Sequence, residues 1–92
     1  MKRWTKHASE SVHGDGVIYI EFAGEAATRQ VSVYGDFWFR GDLVHINELT
    51  DCSYRELEFT NSEHITSDEF ERVWAEALSR EELSRLAPGA RE

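Results

Sequence analysis

A chain of 92 residues is short enough that we expect one domain with a single hydrophobic core. Hydrophobic residues make up 40% of it and include five Phe, three Tyr and three Trp, while the charged residues (30%) are too well mixed with apolar ones for wholesale disorder. The formal net charge of −8 disfavours direct binding to DNA, RNA or anionic membranes and favours a basic protein partner.

The acidic excess is uneven along the chain. Residues 1–40 and 72–92 each balance their acids and bases, whereas residues 41–71 hold nine acids against Arg55 alone. Three of those acids fall in the first turns of a predicted helix, where the helix dipole favours them. The remaining set, from Asp42 to Glu63, predicts either an acidic binding surface or a solvated face that keeps the protein soluble.

The first half of the chain alternates polar and apolar side chains in short runs separated by glycine-containing turns such as Gly24-Glu25 and Gly35-Asp36. This pattern predicts an antiparallel meander. The N-terminal run is expected to be an edge strand or disordered, and residues 47–54 are left unassigned. The strand candidates are residues 3–9, 17–22, 28–34, 37–40, 43–46 and 55–59.

The alternation also divides side chains between two sheet faces. We expect a core face, under the helix, formed by Ile18, Ile20, Phe22, Val31 and Val33. The opposite face would be polar and rich in aromatics, a composition typical of interface hot spots. In the alternative interpretation, the N-terminal segment around Trp4 covers Trp38 and one tyrosine of that face. Its predicted members are Tyr19, Glu21, Gln30, Ser32, Tyr34, Trp38 and Arg40.

The second half predicts a helix that begins near Ser67, after the capping residues Thr66 and Ser67. Its apolar stripe is expected to cover the sheet. Leu83 and Leu86 lie off that stripe, so we expect a break near Ser79 followed by a second short helix; the alternative is that both leucines face a partner. Residues 87–92 are expected to be a frayed tail. The stripe consists of Phe70, Val73, Trp74, Ala77 and Leu78.

No motif for catalysis or cofactor binding stands out. The four histidines, at positions 7, 13, 45 and 64, lack zinc-site spacing, and neither a phosphate-binding loop nor a nucleophile elbow is present. Cys52 has no cysteine partner and is interpreted as a small packing or idle surface residue. We therefore expect no enzyme activity, no metal and no cofactor. No apolar run approaches the length of a signal peptide core or a membrane span, which favours a cytoplasmic location.

Two segments resemble motifs of an uncharacterised family of small bacterial proteins, a domain of unknown function. Residues 25–36 read EAATRQVSVYGD and are similar to its E-x-x-R-K-V-x-V-aromatic-x-D-G strand. Residues 64–77 read HITSDEFERVWAEA and are similar to its E-I-[ST]-x-x-E-F-E-x-V-W-x-x-A helix start. This chain differs by about one extra residue near Arg29, by Gln30 in place of a base, and by lacking a proline-rich stretch before the helix. The resemblance implies an antiparallel sheet with a C-terminal helix, and it implies no site residues.

Together these features predict an α+β fold in one domain over residues 1–92, with an antiparallel β-meander of about three to five strands and one main C-terminal helix packed on one face. We expect a small acidic inhibitor, of immunity or antitoxin type or phage-encoded, that blocks a basic, nucleic-acid-handling protein. The alternatives are a self-associating accessory or structural module that forms a homodimer, and a small-molecule-binding domain. The predicted partner-binding residues are Tyr34, Trp38, Arg40, Asp42, Glu48, Asp51, Glu56 and Glu58.

Overall fold

A computed structural model of the chain describes residues 1–12, 14–44, 46, 49–51, 53–57 and 62–86, with side chains described as far as residue 81. Within these residues the chain forms one antiparallel sheet of five strands, in the order β4-β3-β2-β1-β5, and one C-terminal helix that packs on it. The predicted α+β fold with a β-meander is confirmed. The elements are β1 (Lys2–Ser11), β2 (Gly14–Ala23), β3 (Ala26–Tyr34), β4 (Phe37–Asp42), a 3₁₀ turn (Tyr54–Glu56), β5 (Ser62–Ile65) and α1 (Ser67–Leu86).

Two-residue turns join the central strands, and each begins with a glycine. Gly24 lies between the paired ends of β2 and β3 with φ +64°, and Gly35 lies between those of β3 and β4 with φ +61°. The residues that follow them, Glu25 and Asp36, have negative φ. A positive φ at the first turn position only is the signature of a type II′ turn, which matches the twist of the flanking strands.

Three expectations about local structure need correction. The predicted strand at residues 3–9 forms, but β1 lies between β2 and β5 and is not an edge. Residues 43–44 form a bend instead of a strand, since the backbone N–H of Val44 donates to the Asp42 carboxylate at 2.9 Å and turns the chain. Residues 54–56 form the 3₁₀ turn, so the strand predicted at 55–59 does not begin there, and residues 58–59 lie outside the described residues.

The predicted helix break near Ser79 is also wrong. α1 is continuous from Ser67 to Leu86, and the Glu76–Arg80 ion pair of 2.9 Å spans the position where the break was expected. Good helix formers on both sides of Ser79, without glycine or proline, favour continuation over a second start. The tail predicted at residues 87–92 lies outside the described residues. In the described part of the chain no helix is both long and apolar enough to cross a membrane.

The helix covers a different face of the sheet from the one expected. Tyr19 pairs with Val31 and Glu21 pairs with Arg29 across β2 and β3, so these side chains share a face. Arg29 lies 5.0 Å from the ring centroid of Phe70 on α1, which identifies this side as the helix face. The prediction that Val31 lies beneath the helix is therefore right, whereas Ile18, Ile20 and Phe22 lie on the opposite side.

That opposite side, the loop face, is covered by Leu49, Tyr54 and Leu57, which follow β4 in the chain. Ile20, Phe22 and Ala27 form a buried cluster there, and Ile18, Leu49, Tyr54 and Leu57 pack against it. The Tyr54 ring meets Phe22 edge-on at 5.5 Å between centroids, and the Arg3 guanidinium lies over the Tyr54 ring, 4.1 Å from its centroid. Both faces of the sheet therefore contribute to the core, one under α1 and one under Leu49, Tyr54 and Leu57.

Candidate partner-binding surface

The centre of the helix face is an ionic cluster around Glu21, a residue predicted to lie on an open surface. Its carboxylate, 3% exposed, accepts hydrogen bonds from Trp4 Nε1 at 2.9 Å, Thr28 Oγ1 at 2.8 Å and Arg29 Nη2 at 2.6 Å. Burial alone would raise the pKa of Glu21, but the hydrogen bonds from Arg29, Thr28 and Trp4 outweigh it and lower the pKa to about 2. Glu21 therefore stays ionised and ties three side chains of the sheet together.

Two predicted binding anchors, Trp38 and Arg40, belong to the contact between β4 and α1. Arg40 bonds to Asp42 at 2.9 Å and to Glu81 of the helix, and its guanidinium lies 5.2 Å from the Trp74 ring. These carboxylates raise the pKa of Arg40, chiefly through the hydrogen bond that Arg40 donates to Glu81. Arg80 in turn lies 4.6 Å from the Trp38 ring. The prediction that this pair faces away from the helix is wrong, because both lie on the helix face.

Tyr34, a third predicted anchor, is buried on the loop face. Its hydroxyl lies 2.9 Å from Ser9 Oγ, and it reaches across Gly16 to do so. A Cβ atom at position 16 would lie 2.4 Å from the Tyr34 ring and 2.2 Å from the Val33 carbonyl oxygen. Gly16 is therefore required by close packing, and Tyr34 stabilises the sheet instead of presenting a contact surface. Gln30 and Ser32, expected beside Tyr19, also lie on the loop face.

Two of the five predicted carboxylates of the middle segment are engaged within the fold. Asp42 pairs with Arg40, and Glu56 accepts a hydrogen bond of 2.7 Å from the Ser53 backbone N–H at the start of the 3₁₀ turn. That backbone bond lowers the pKa of Glu56. Asp51 is exposed. The other two predicted residues, Glu48 and Glu58, lie outside the described residues.

Cations from the first 40 residues pair with acids from the second half. Lys6 lies 3.4 Å from Glu63 and 3.3 Å from Glu69, so its pKa is raised mainly by the hydrogen bond to Glu69. Arg29 bonds to Glu71 at 3.2 Å, and Arg40 bonds to Glu81. The N-terminal part of the chain is neutral by count, but three of its five cations, Lys6, Arg29 and Arg40, are engaged with helix and β5 carboxylates. Some of its own acids are therefore left uncompensated.

These acids gather at one end of the sheet. Glu10 and Asp15 are exposed and lie directly opposite each other across β1 and β2, and Asp36 is exposed in the β3–β4 turn at the same end. Within the part of the chain that the structure describes, no lysine or arginine forms an ion pair with any of them. We call Glu10, Asp15 and Asp36 the acidic end.

A shallow cleft of about 610 Å³ adjoins the acidic end, with Ala8, Ser9 and Gly16 lining it beside the two carboxylates. Sequence reasoning missed this region, although a signal was available. The run Gly14-Asp15-Gly16 is typical of a turn, and a hairpin closed by Ser11 and Gly14 places Glu10 against Asp15. Among the described residues, no group of three or more His, Cys, Asp or Glu side chains could hold a metal ion.

Comparison of the chain with protein families, with curated proteins and with solved structures finds no match. The resemblance to the bacterial family therefore stays a prediction, and no relative supplies a residue role to this chain.

Proposed function

We propose that this protein is a small acidic inhibitor that binds a basic, nucleic-acid-handling partner protein and blocks its active surface through the acidic end. The observation that carries the proposal is the pairing of Glu10 with Asp15 across β1 and β2. Like charges directly opposite each other in an antiparallel pair destabilise a sheet by about 0.2–1 kcal/mol. A fold that keeps such a pair, without a described cation beside it, is consistent with a role for the pair outside folding.

The charge distribution supports the same proposal. Because Lys6, Arg29 and Arg40 are engaged with carboxylates of α1 and β5, they contribute little to the potential outside the protein. The exposed carboxylates of the acidic end, by contrast, have no lysine or arginine partner among the described residues. Clustered carboxylates of this kind attract a cationic surface over roughly a Debye length, about 8 Å at physiological salt, and they repel nucleic acid and anionic lipid.

Capture of a partner by the immobilised protein tests the proposal. Proteins of the host lysate are captured at low salt by the wild type, by Glu10→Gln/Asp15→Asn and by Asp51→Asn/Asp68→Asn. The last variant is the matched control, since it also removes two exposed carboxylates that no described lysine or arginine pairs with. The rate at which the purified captured protein associates with the wild type and with each variant is then measured at about 50 and 300 mM salt.

We expect a basic captured protein whose association rate falls by about tenfold or more over that salt range. The Glu10/Asp15 variant should associate at least threefold more slowly than the Asp51/Asp68 control, since both carry the same net charge. The inhibitor should also displace a fluorescent oligonucleotide from the captured protein. Capture of neutral or acidic proteins only, or equal rates for the two variants, contradicts the proposal.

A further inference from the structure

β4 lies at the edge of the sheet and differs from the other edge strand. In the described part of the chain β4 pairs with β3 on one side and has no strand on the other. Tyr34 and Phe37 face each other across the two-residue turn, and in such a turn the closing residues form a hydrogen-bonded pair through their backbones. From this pair onward, every second residue of β4 hydrogen-bonds to β3 through its backbone. The backbone N–H and C=O groups of Trp38 and Arg40 therefore point away from β3, along an edge six residues long.

The devices that usually protect a sheet edge are found on β5 instead of β4. β5 has only four residues, and Glu63 and His64 are exposed on it. Short length and outward charge both discourage pairing with another strand. β4 contains neither lysine nor proline, and its single cation, Arg40, is turned onto Asp42 and Glu81.

Apolar side chains are exposed along β4 and the residues that follow it. Phe37 is 51% exposed and Val44 is 82% exposed, with Leu43 and Ile46 also exposed nearby. Four of the seven large hydrophobic residues exposed in the described part of the chain therefore fall within ten positions. Scattered exposed hydrophobics are normal, whereas here Phe37 lies at the start of the open strand and Leu43, Val44 and Ile46 follow its end. Exposed apolar side chains therefore flank the open edge at both ends.

We propose that β4 binds an extended segment of a partner protein, which adds to the sheet as a sixth strand and carries alternating apolar side chains with lysine or arginine between them. Backbone hydrogen bonds to Trp38 and Arg40 supply affinity, and apolar side chains pack beside Phe37. The occupant is basic because the exposed carboxylate of Asp36 immediately precedes the strand and because the chain carries a net charge of −8. The same net charge disfavours a second copy of this chain. This inference rests on the proposed function only in taking the partner to be basic.

The test uses a defined probe, a blocked octapeptide that alternates valine with lysine, and a matched peptide that alternates valine with glutamate. Binding is followed by NMR chemical shifts and amide hydrogen exchange of the full chain. With the lysine peptide at saturation, we expect the Trp38 and Arg40 amides to exchange at least tenfold more slowly, with unchanged exchange in β5. The glutamate peptide should bind at least tenfold more weakly.

Phe37→Lys places a cation on the open edge and should lower the affinity for the lysine-containing peptide at least tenfold. Val12→Lys is the matched control, since Val12 is exposed in the β1–β2 turn and the change in net charge is the same. Circular dichroism checks that both variants fold. Equal affinity for the two variants, or protection of β5 instead of β4, overturns the proposal.

Sedimentation without peptide provides a second outcome. If the chain is a dimer at low micromolar concentration and the Trp38 and Arg40 amides are protected from exchange, the occupant of the β4 edge is a second copy of the chain. That result overturns the proposal of a partner segment. The outcomes of the two experiments also distinguish a failure of the β4 inference from a failure of the proposed function. If Glu10→Gln/Asp15→Asn slows partner association while Phe37→Lys leaves it unchanged, the β4 inference is wrong and the proposed function stands. If the peptide binds β4 but capture yields no basic protein, the proposed function is wrong and the binding of an extended segment to β4 stands.

Discussion

Replacing Glu21 by glutamine removes one charge from the ionic cluster under α1 while keeping the size of the side chain. The wild-type carboxylate accepts bonds from Trp4, Thr28 and Arg29. Glutamine has one acceptor oxygen and one donor group in that place. It therefore leaves the Arg29 guanidinium, which burial already disfavours, with Glu71 as its only remaining carboxylate neighbour among the described residues.

The size of the effect follows from the pKa of Glu21, which falls from 4.5 to about 2 on folding. A difference of that size corresponds to about 3 kcal/mol of stability at pH 7. Because the folded pKa is the lower one, this stability is fully present above about pH 5 and is lost as pH falls through 4.5 towards 2. Glu21→Gln should therefore cost about 3 kcal/mol at pH 7 and about 1 kcal/mol at pH 3.

Urea unfolding followed by circular dichroism, at pH 7 and pH 3, measures both values. Glu71→Gln is the control, since it changes the exposed partner of the same guanidinium, and an exposed pair contributes at most about 1 kcal/mol. A Glu21→Gln variant within 0.5 kcal/mol of wild type at pH 7 would refute the reasoning. So would an equal loss at both pH values, because a titrating carboxylate cannot produce it.

Three further outcomes are expected. Burial lowers the pKa of His7 below 6.5, and its Nδ1 has no described hydrogen-bond partner. Stability should therefore decline as pH falls through 6.5, and His7→Gln should flatten that slope in urea titrations at pH 5.5 and 7.5. Gly16→Ala should cost about 1–3 kcal/mol by displacing the Tyr34 ring, and an unchanged melting temperature would contradict this. Phe70→Ala should cost about 3–5 kcal/mol, since Phe70 is fully buried and stacks on Trp74; calorimetry should show the midpoint falling by more than 10 °C.

The sequence predicted those parts of the fold that depend on neighbouring residues only, which are the turns between strands and the start of the helix. Gly24 and Gly35 mark turns that need a positive φ, and the capping hydroxyl of Thr66 accepts a bond from Glu69 N–H at 3.1 Å, as the sequence suggested. The strand Ser62–Ile65 was not predicted. Its four residues alternate weakly, and its place beside β1 depends on a pairing more than 50 positions away in the chain, which local pattern does not encode.

The orientation of the sheet was harder to predict than its existence. Alternation along β2 shows which side chains share a face, but it does not show which face the helix covers. The rule that apolar residues face the helix fails here because Glu21 and Arg29 neutralise each other beneath α1, while residues 49–57 cover Ile20 and Phe22. A buried ion pair cannot be distinguished from two solvated charges in a sequence.

The predicted binding residues stay a prediction, but the acids among them are arranged differently in space from their order in the chain. A count of charges along the chain treats neighbours in sequence as neighbours in space, so the acids from Asp42 to Glu63 stood out. In the fold, Asp42 and Glu63 are paired with cations, whereas Glu10, Asp15 and Asp36 from the neutral segment are left exposed without one among the described residues.

The pairing of Lys6, Arg29 and Arg40 with the acids of α1 means that the helix occupies the position of an acidic ligand on a cationic sheet. If α1 were removed, Glu69, Glu71 and Glu81 would go with it, and the three cations would keep one sheet carboxylate each among the described residues: Glu63, Glu21 and Asp42. Three exposed carboxylates without a cation partner among the described residues, those of Glu10, Asp15 and Asp36, lie at the hairpin end of the sheet. This separation of paired charges under α1 from unpaired carboxylates at the hairpin end arises on folding, since the unfolded chain carries the same charges without it.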